Sequence, residues 1–161
     1  MTSNFALSLS FEGIRLMHRV QGGWHLVGEV ALDSADLKAD LADLRDKALL
    51  LEPGGLRTKL LIPESQIKYL AIDSARTTQD DVHRALDGAT PYAIEDLVID
   101  FDRTGGRTYI AAVARETLAE AESFAADHHF APISFAAIAE PLTFRSEVFF
   151  GPTSNGPEIT G

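Results

Sequence analysis

Cysteine is absent from the 161 residues, which excludes disulfides, zinc ribbons and thiol catalysis. The absence agrees with a reducing compartment. Basic residues are scarce: 14 Lys and Arg stand against 24 Asp and Glu, a formal charge of −10. No Lys/Arg cluster offsets that balance locally, so phosphate backbones are repelled and no nucleic-acid partner is expected. Long hydrophobic runs are also missing. None approaches the ~18 residues needed to span a bilayer, so no direct membrane insertion is expected of this segment. Met1, Thr2, Ser3 and Asn4 place no basic region ahead of the first apolar residues. They read as the lead-in to a strand and not as a signal peptide.

The motifs of common catalysts are missing too. There is no Gly-x-Ser-x-Gly elbow and no Gly-x-x-x-x-Gly-Lys phosphate loop. Glu52-Pro53-Gly54-Gly55 reads as a helix stop, and Gly105-Gly106 as a hairpin between two strands. Glu12 and Glu64 are the carboxylates nearest to where a two-metal nuclease would need them, and both read as turn residues. Asp80 and His83 have a spacing that a metal could use, and His128 and His129 at a later helix end are further candidate ligands. The acidic residues suit a helix N-terminus and the histidines a helix C-terminus, and nothing in the sequence brings the two segments together. No catalytic, cofactor-binding or metal residue is therefore expected, and the chain reads as a non-enzyme.

What is present is an ordinary globular balance, 45% hydrophobic and 24% charged, enough for one sizeable domain or two small coupled lobes. Phe5, Leu7, Leu9 and Phe11 alternate with small polar residues, the period of a half-buried strand. Turns at Glu12-Gly13 and Gln21-Gly22-Gly23 predict two further strands, over 14–20 and 24–32. Ser34 is positioned to cap a helix whose apolar stripe is Leu37, Leu41, Leu44, Ala48 and Leu51, stopped by Gly54-Gly55. Strands follow at 59–62 and 67–72. Thr77 or Thr78 caps a helix carrying Val82, Ala85, Leu86 and Ala89, with Asp80 and Asp81 in its first turn. Strands at 98–102 and 108–113 flank Gly105-Gly106. A helix over 116–129 buries Leu118, Ala121, Ala125 and His128, and a last strand covers 132–139. Residues 151–161 have the composition of a flexible tail.

Two stretches carry a resemblance: Thr90-Pro91-Tyr92-Ala93-Ile94-Glu95-Asp96 after the second helix, and Ala111-Ala112-Val113-Ala114-Arg115-Glu116 at a strand-to-helix junction. With the element order, they resemble the actin-like domains of bacterial envelope machines, such as the type IV pilus assembly protein PilM and the cytoplasmic part of type II secretion protein L. The resemblance implies an α/β fold, ribonuclease H-like and half of an actin-like ATPase, with an inserted small β-α-β-β subdomain. Residues 1–64 and 116–140 would form the main lobe, 65–115 the insertion, and 141–161 a terminal segment and tail. It further implies a cytoplasmic scaffold domain at the inner face of the membrane. Its partner would be a protein, either a membrane-anchored assembly subunit or a motor ATPase. By the same resemblance, a partner peptide would dock around Pro63, Tyr69, Pro91, Tyr92 and Ile94.

Nucleotide-binding members of that family place an Asp and a Gly/Ser/Thr-rich turn at the first hairpin. Here the hairpin reads Leu9-Ser10-Phe11-Glu12-Gly13-Ile14-Arg15, with Glu12 set to repel phosphate. No cofactor is expected. The alternative is an actin-like nucleotide binder that is active only with a second lobe or as a dimer. Phe149 and Phe150 point to opposite faces of any strand, so one is expected to be covered by a second copy, in a homodimer, or by further sequence. The tail composition leads to the expectation that the chain continues past Gly161.

Overall fold

The computed structural model describes residues 3–10, 13–74, 78–137 and 148–153. The Phe11-Glu12 turn, Thr77, residues 138–139 of the expected last strand and most of the expected tail lie outside the described residues.

The first three strands form as expected, β1 (Phe5–Ser10), β2 (Gly13–Val20) and β3 (Gly23–Val30), paired antiparallel as a meander, with β3 stopping two residues short of the expected 32. Gly13 is held at a φ of 151°, and a Cβ there would meet the Val30 carbonyl oxygen at 2.8 Å, so glycine lets the β1–β2 hairpin close onto β3. Helix α1 (Leu37–Leu51) follows, then β4 (Thr58–Leu61), which runs parallel to β1 and is buried along its whole length. A single 3-10 turn at Glu64–Gln66 leads away from this sheet into β5 (Ile67–Ile72), α2 (Gln79–Leu86), β6 (Leu97–Thr104) and β7 (Arg107–Ala114). The chain returns through α3 (Arg115–Asp127) and β8 (Pro132–Ala137), parallel to β4, and the last described element is β9 (Val148–Pro152).

Two sheets result. The main one has the order β3-β2-β1-β4-β8-β9, and the second the order β5-β7-β6. Three antiparallel strands followed by parallel strands reached through helices is the ribonuclease H-like plan, and β5-α2-β6-β7 is the inserted β-α-β-β unit. The larger core lies between the main sheet and the helices α1 and α3, joining Phe5, Leu7, Leu16, Leu41, Leu60 and Phe130. It extends under the second sheet through Ala111 and Val113. A smaller core holds α2 on that sheet's other face through Val82, Leu86, Leu97 and Ile110.

Several details depart from the sequence reading. Asp36, not Ser34, caps α1: its carboxylate accepts the Ala39 N–H at 3.1 Å, while the Ser34 hydroxyl donates to Asp40. Both are capping residue types, and only the position of the first turn decides between them. Leu51, at the tail of the apolar stripe, is exposed in the last turn of the helix. Thr78 caps α2 with a full capping box to Asp81, and Ala89 falls beyond the helix. Helix α3 stops at Asp127. His128 is its C-cap, half-buried against the Phe124 ring, and His129 has already turned to a φ of 64°.

The largest departure is β9. Composition makes the strand at 132–139 the last and 151–161 a tail, yet Gly151 and Pro152 belong to a strand antiparallel to β8 and Thr153 is buried. Phe150 joins the main core and Phe149 is half-buried, so within this chain both aromatics are at least partly covered.

Candidate functional site

The link from the main sheet to the second sheet creates a groove. Ile62 ends β4's run buried, and Pro63 turns the chain so that the Gln66 N–H donates to the Pro63 carbonyl at 2.9 Å. Across from this turn lies the first half of α3. Between them is a cavity of about 340 Å³ whose walls are mostly apolar, among them Leu9, Ile14, Ile62, Pro63, Ala121 and Phe124, with Glu120 at its side. A second cavity of about 260 Å³ opens beside it, lined by residues that include Lys68, Pro91, Tyr92, Leu97 and Ala112. Gln66 and Thr117 line both, so the two form one groove that crosses from the main sheet to the second.

The far wall is locally fixed. The Thr90 hydroxyl accepts the Tyr92 N–H at 3.2 Å and lies 3.3 Å from the Tyr92 carbonyl, which pins the Pro91-Tyr92 corner. Arg115 at the start of α3 donates to the Glu95 carbonyl at 2.9 Å and ties that loop to the helix. Tyr92 is left 46% exposed, an aromatic face with a polar tip at the groove's rim.

Of the five residues singled out in the sequence, Pro63, Pro91 and Tyr92 line this groove. Tyr69 and Ile94 do not. Tyr69 is half-buried opposite Ala111 and packs on the main core, and Ile94 packs on the smaller core beside α2. Sequence reading missed Gln66, Thr117 and Phe124. A signal did exist: Thr117, Glu120, Ala121 and Phe124 fall at i, i+3, i+4 and i+7, one face of α3 beside the stripe that fills the core.

The first hairpin, where an actin-like nucleotide site would sit, is flanked by two cavities of about 480 and 460 Å³ that share Glu29, Val30 and Ala31. Their charged lining is Glu29, Asp40 and Asp43 against Arg15 and Lys47, and Glu29 holds Arg15 in an ion pair at 2.9 Å. That is a poor setting for a polyphosphate. Among the described residues no three His, Asp or Glu side chains gather to hold a metal. Asp80 is exposed in the first turn of α2, with the half-buried His83 one turn on, while His128 packs tilted against the Phe124 ring.

Perturbed acids lie elsewhere. Hydrogen bonds from the Thr78 backbone and side chain, with Arg84 adding to them, hold the exposed Asp81 carboxyl below its ordinary value. Asp100 on β6 goes the other way. Burial raises its pKa above the ordinary 3.8, against the N–H groups of Phe149 and Phe101 that stabilise the ionised form, and the charge of Asp102 adds to the rise. The native state thus binds more protons than the unfolded chain between pH 3.8 and that raised value. Stability from this group is full below 3.8 and is lost as pH rises through the folded pKa. Denaturation midpoints measured across that interval should fall more steeply with rising pH in the native protein than in Asp100→Asn. Parallel curves would sink the assignment.

No protein-family model matches the chain, and no curated protein matches it in sequence. Solved structures do match in fold. The cytoplasmic domain of EpsL, an inner membrane component of the type II secretion system of Vibrio cholerae, superposes with a TM-score of 0.59 and 12% identity, over 87% of this chain and 60% of that one. A chain of the PilM–PilN type IV pilus biogenesis complex superposes with a TM-score of 0.56 and 13% identity, over 83% and 47%. The chain resembles these proteins in fold, as a ribonuclease H-like half of the actin-like ATPase fold. It spans less than two thirds of either one. Among the described residues no helix is long and apolar enough to cross a membrane.

Proposed function

We propose that this chain is a non-catalytic interaction domain of an envelope-assembly scaffold of the pilus or type II secretion kind. The observation that carries the reading is the apolar groove across the junction of the two sheets, on a fold shared with components of such machines. A groove with an apolar floor and an aromatic rim suits an extended peptide, whose apolar side chains would fill it. Pro63, Pro91 and Tyr92 would touch the peptide, while Tyr69 and Ile94 would hold the walls. In this reading residues 65–115 act as an inserted subdomain that supplies one wall. The domain works in the cytoplasm at the inner face of the membrane, bound to a membrane-anchored subunit or a motor ATPase. The test is crosslinked affinity capture from native cells with an N-terminal tag. Envelope or secretion subunits are the expected yield, and recovery of soluble enzymes or ribosomal components alone would overturn the reading.

The cavities beside the first hairpin give room for a second reading, a nucleotide binder completed by another lobe or another copy. A ligand that binds only the native state adds about 2.7 kcal/mol at a hundredfold excess over its Kd, which a melting curve detects easily. With Glu29, Asp40 and Asp43 facing the site, millimolar Mg-ATP is expected to leave the melting temperature of this chain unchanged. A saturable rise would replace the first reading with the second.

A further inference from the structure

Two strand edges meet at one carboxylate. β9 closes one end of the main sheet and β6 one end of the second, and the two edge strands lie alongside each other. Asp100 of β6 sits between them. One of its oxygens accepts the Phe149 N–H of β9 at 2.9 Å, and the other accepts the N–H of Phe101 in its own strand, also at 2.9 Å. Edge strands point alternate N–H groups away from their sheet, and such groups must find an acceptor or remain open to pairing with another strand. We propose that Asp100 is a fastener between the two sheets, occupying an N–H on each edge strand and so holding the second sheet against the end of the main one.

The choice of residue follows from the chemistry. Two donors converge on one side chain, so that side chain must offer two acceptors and no donor. An ionised carboxylate does this. Asparagine offers one oxygen, and its amide nitrogen would turn N–H toward N–H. Serine is both donor and acceptor and too short to bridge the strands. Half-burying a carboxylate has a cost, and Asp102, two residues on along the same face, adds repulsion. Keeping the charge there despite both effects is understandable if its two bonds fix geometry. Elsewhere the second sheet is joined to the main lobe by the shared core through Ala111 and Val113, by the turn after Pro63 and by the β7–α3 junction. Asp100 adds a tie from β6 to β9, and together these connections set the angle between the groove's two walls. The proposal does not depend on what the groove binds.

Residue-resolved amide exchange by NMR tests it. In Asp100→Ala the Phe101 and Phe149 amides should lose protection on the order of tenfold, the loss expected when a charge-assisted bond is removed. Amides in β1 and α1 should keep theirs. Asp100→Asn should leave one of the two protected, because one acceptor survives, and Asp102→Ala should leave both. Unchanged exchange at Phe101 and Phe149 in Asp100→Ala would overturn the proposal. So would an equal loss across β1, α1 and β9, since Asp100 would then be an ordinary contributor to global stability.

Discussion

Phe130→Ala should lower the free energy of unfolding by about 3–5 kcal/mol, read as a fall in the urea midpoint at an unchanged slope. Phe130 is fully buried in the main core, in the loop between α3 and β8. Its backbone is held as firmly as its ring: the N–H donates to the Ala125 carbonyl at 2.9 Å, and the carbonyl accepts the buried Thr58 hydroxyl at 2.5 Å. The neighbours on either side, His129 and Ala131, hold φ values of 64° and 51°, conformations that non-glycine residues adopt at a cost. A ring locked into the core between two unfavourable turns is what holds that loop in place, and the Thr58 N–H donating to Ala131 at 3.1 Å ties it to β4. A domain of this size has only about 5–15 kcal/mol in all, so the variant should sit near the edge of folding at ambient temperature. A loss below about 1 kcal/mol would mean that the loop collapses into the space and that the ring does not anchor it.

The parts of this fold that a reader of the sequence can see are those set by neighbours in the chain. The alternation Phe5, Leu7, Leu9 gives β1 its face, the bounds of β5 at Ile67–Ile72 follow from its composition, and a threonine ahead of Asp80 and Asp81 marks the start of α2, with Thr78 as the cap in the structure. β9 could not be seen in the same way. Gly151 and Pro152 have the composition of a turn, and they form a strand only because β8 offers a partner edge, with a register shift at Phe135/Ala136 that no periodicity encodes. Asp100 is one of several acids in its stretch of the chain. Its role emerges only once β9 has arrived beside it. The groove divides along the same line. Pro63, Pro91 and Tyr92 come from the resemblance, which implies a docked peptide near the junction of the two subdomains. Gln66 and Thr117, which join the two cavities, are ordinary residue types placed by the return of α3. Tyr69 and Ile94 show the converse, since an apolar residue near a site is as useful in its walls as on its surface.

Gln66→Trp should cut recovery of the partner by at least about tenfold in the capture experiment, with little change in thermal stability. Gln66 is exposed and lines both cavities, so a large ring there fills the passage between them and splits one groove into two short ones. An extended ligand that spans the junction then loses contacts at its centre, where interface energy concentrates, and a loss of about 2 kcal/mol or more is usual for a central anchor. Tyr92→Ala acts at the rim and should weaken recovery less, by several-fold, through the loss of its aromatic face alone. The order of the two variants carries the information. If Tyr92→Ala abolishes capture and Gln66→Trp does not, the partner grips the Pro91-Tyr92 corner alone, and the groove along Ile62 and Phe124 is simply unfilled space beneath α3. If neither variant changes recovery, the partner binds elsewhere on the domain and the groove loses its claim to the function.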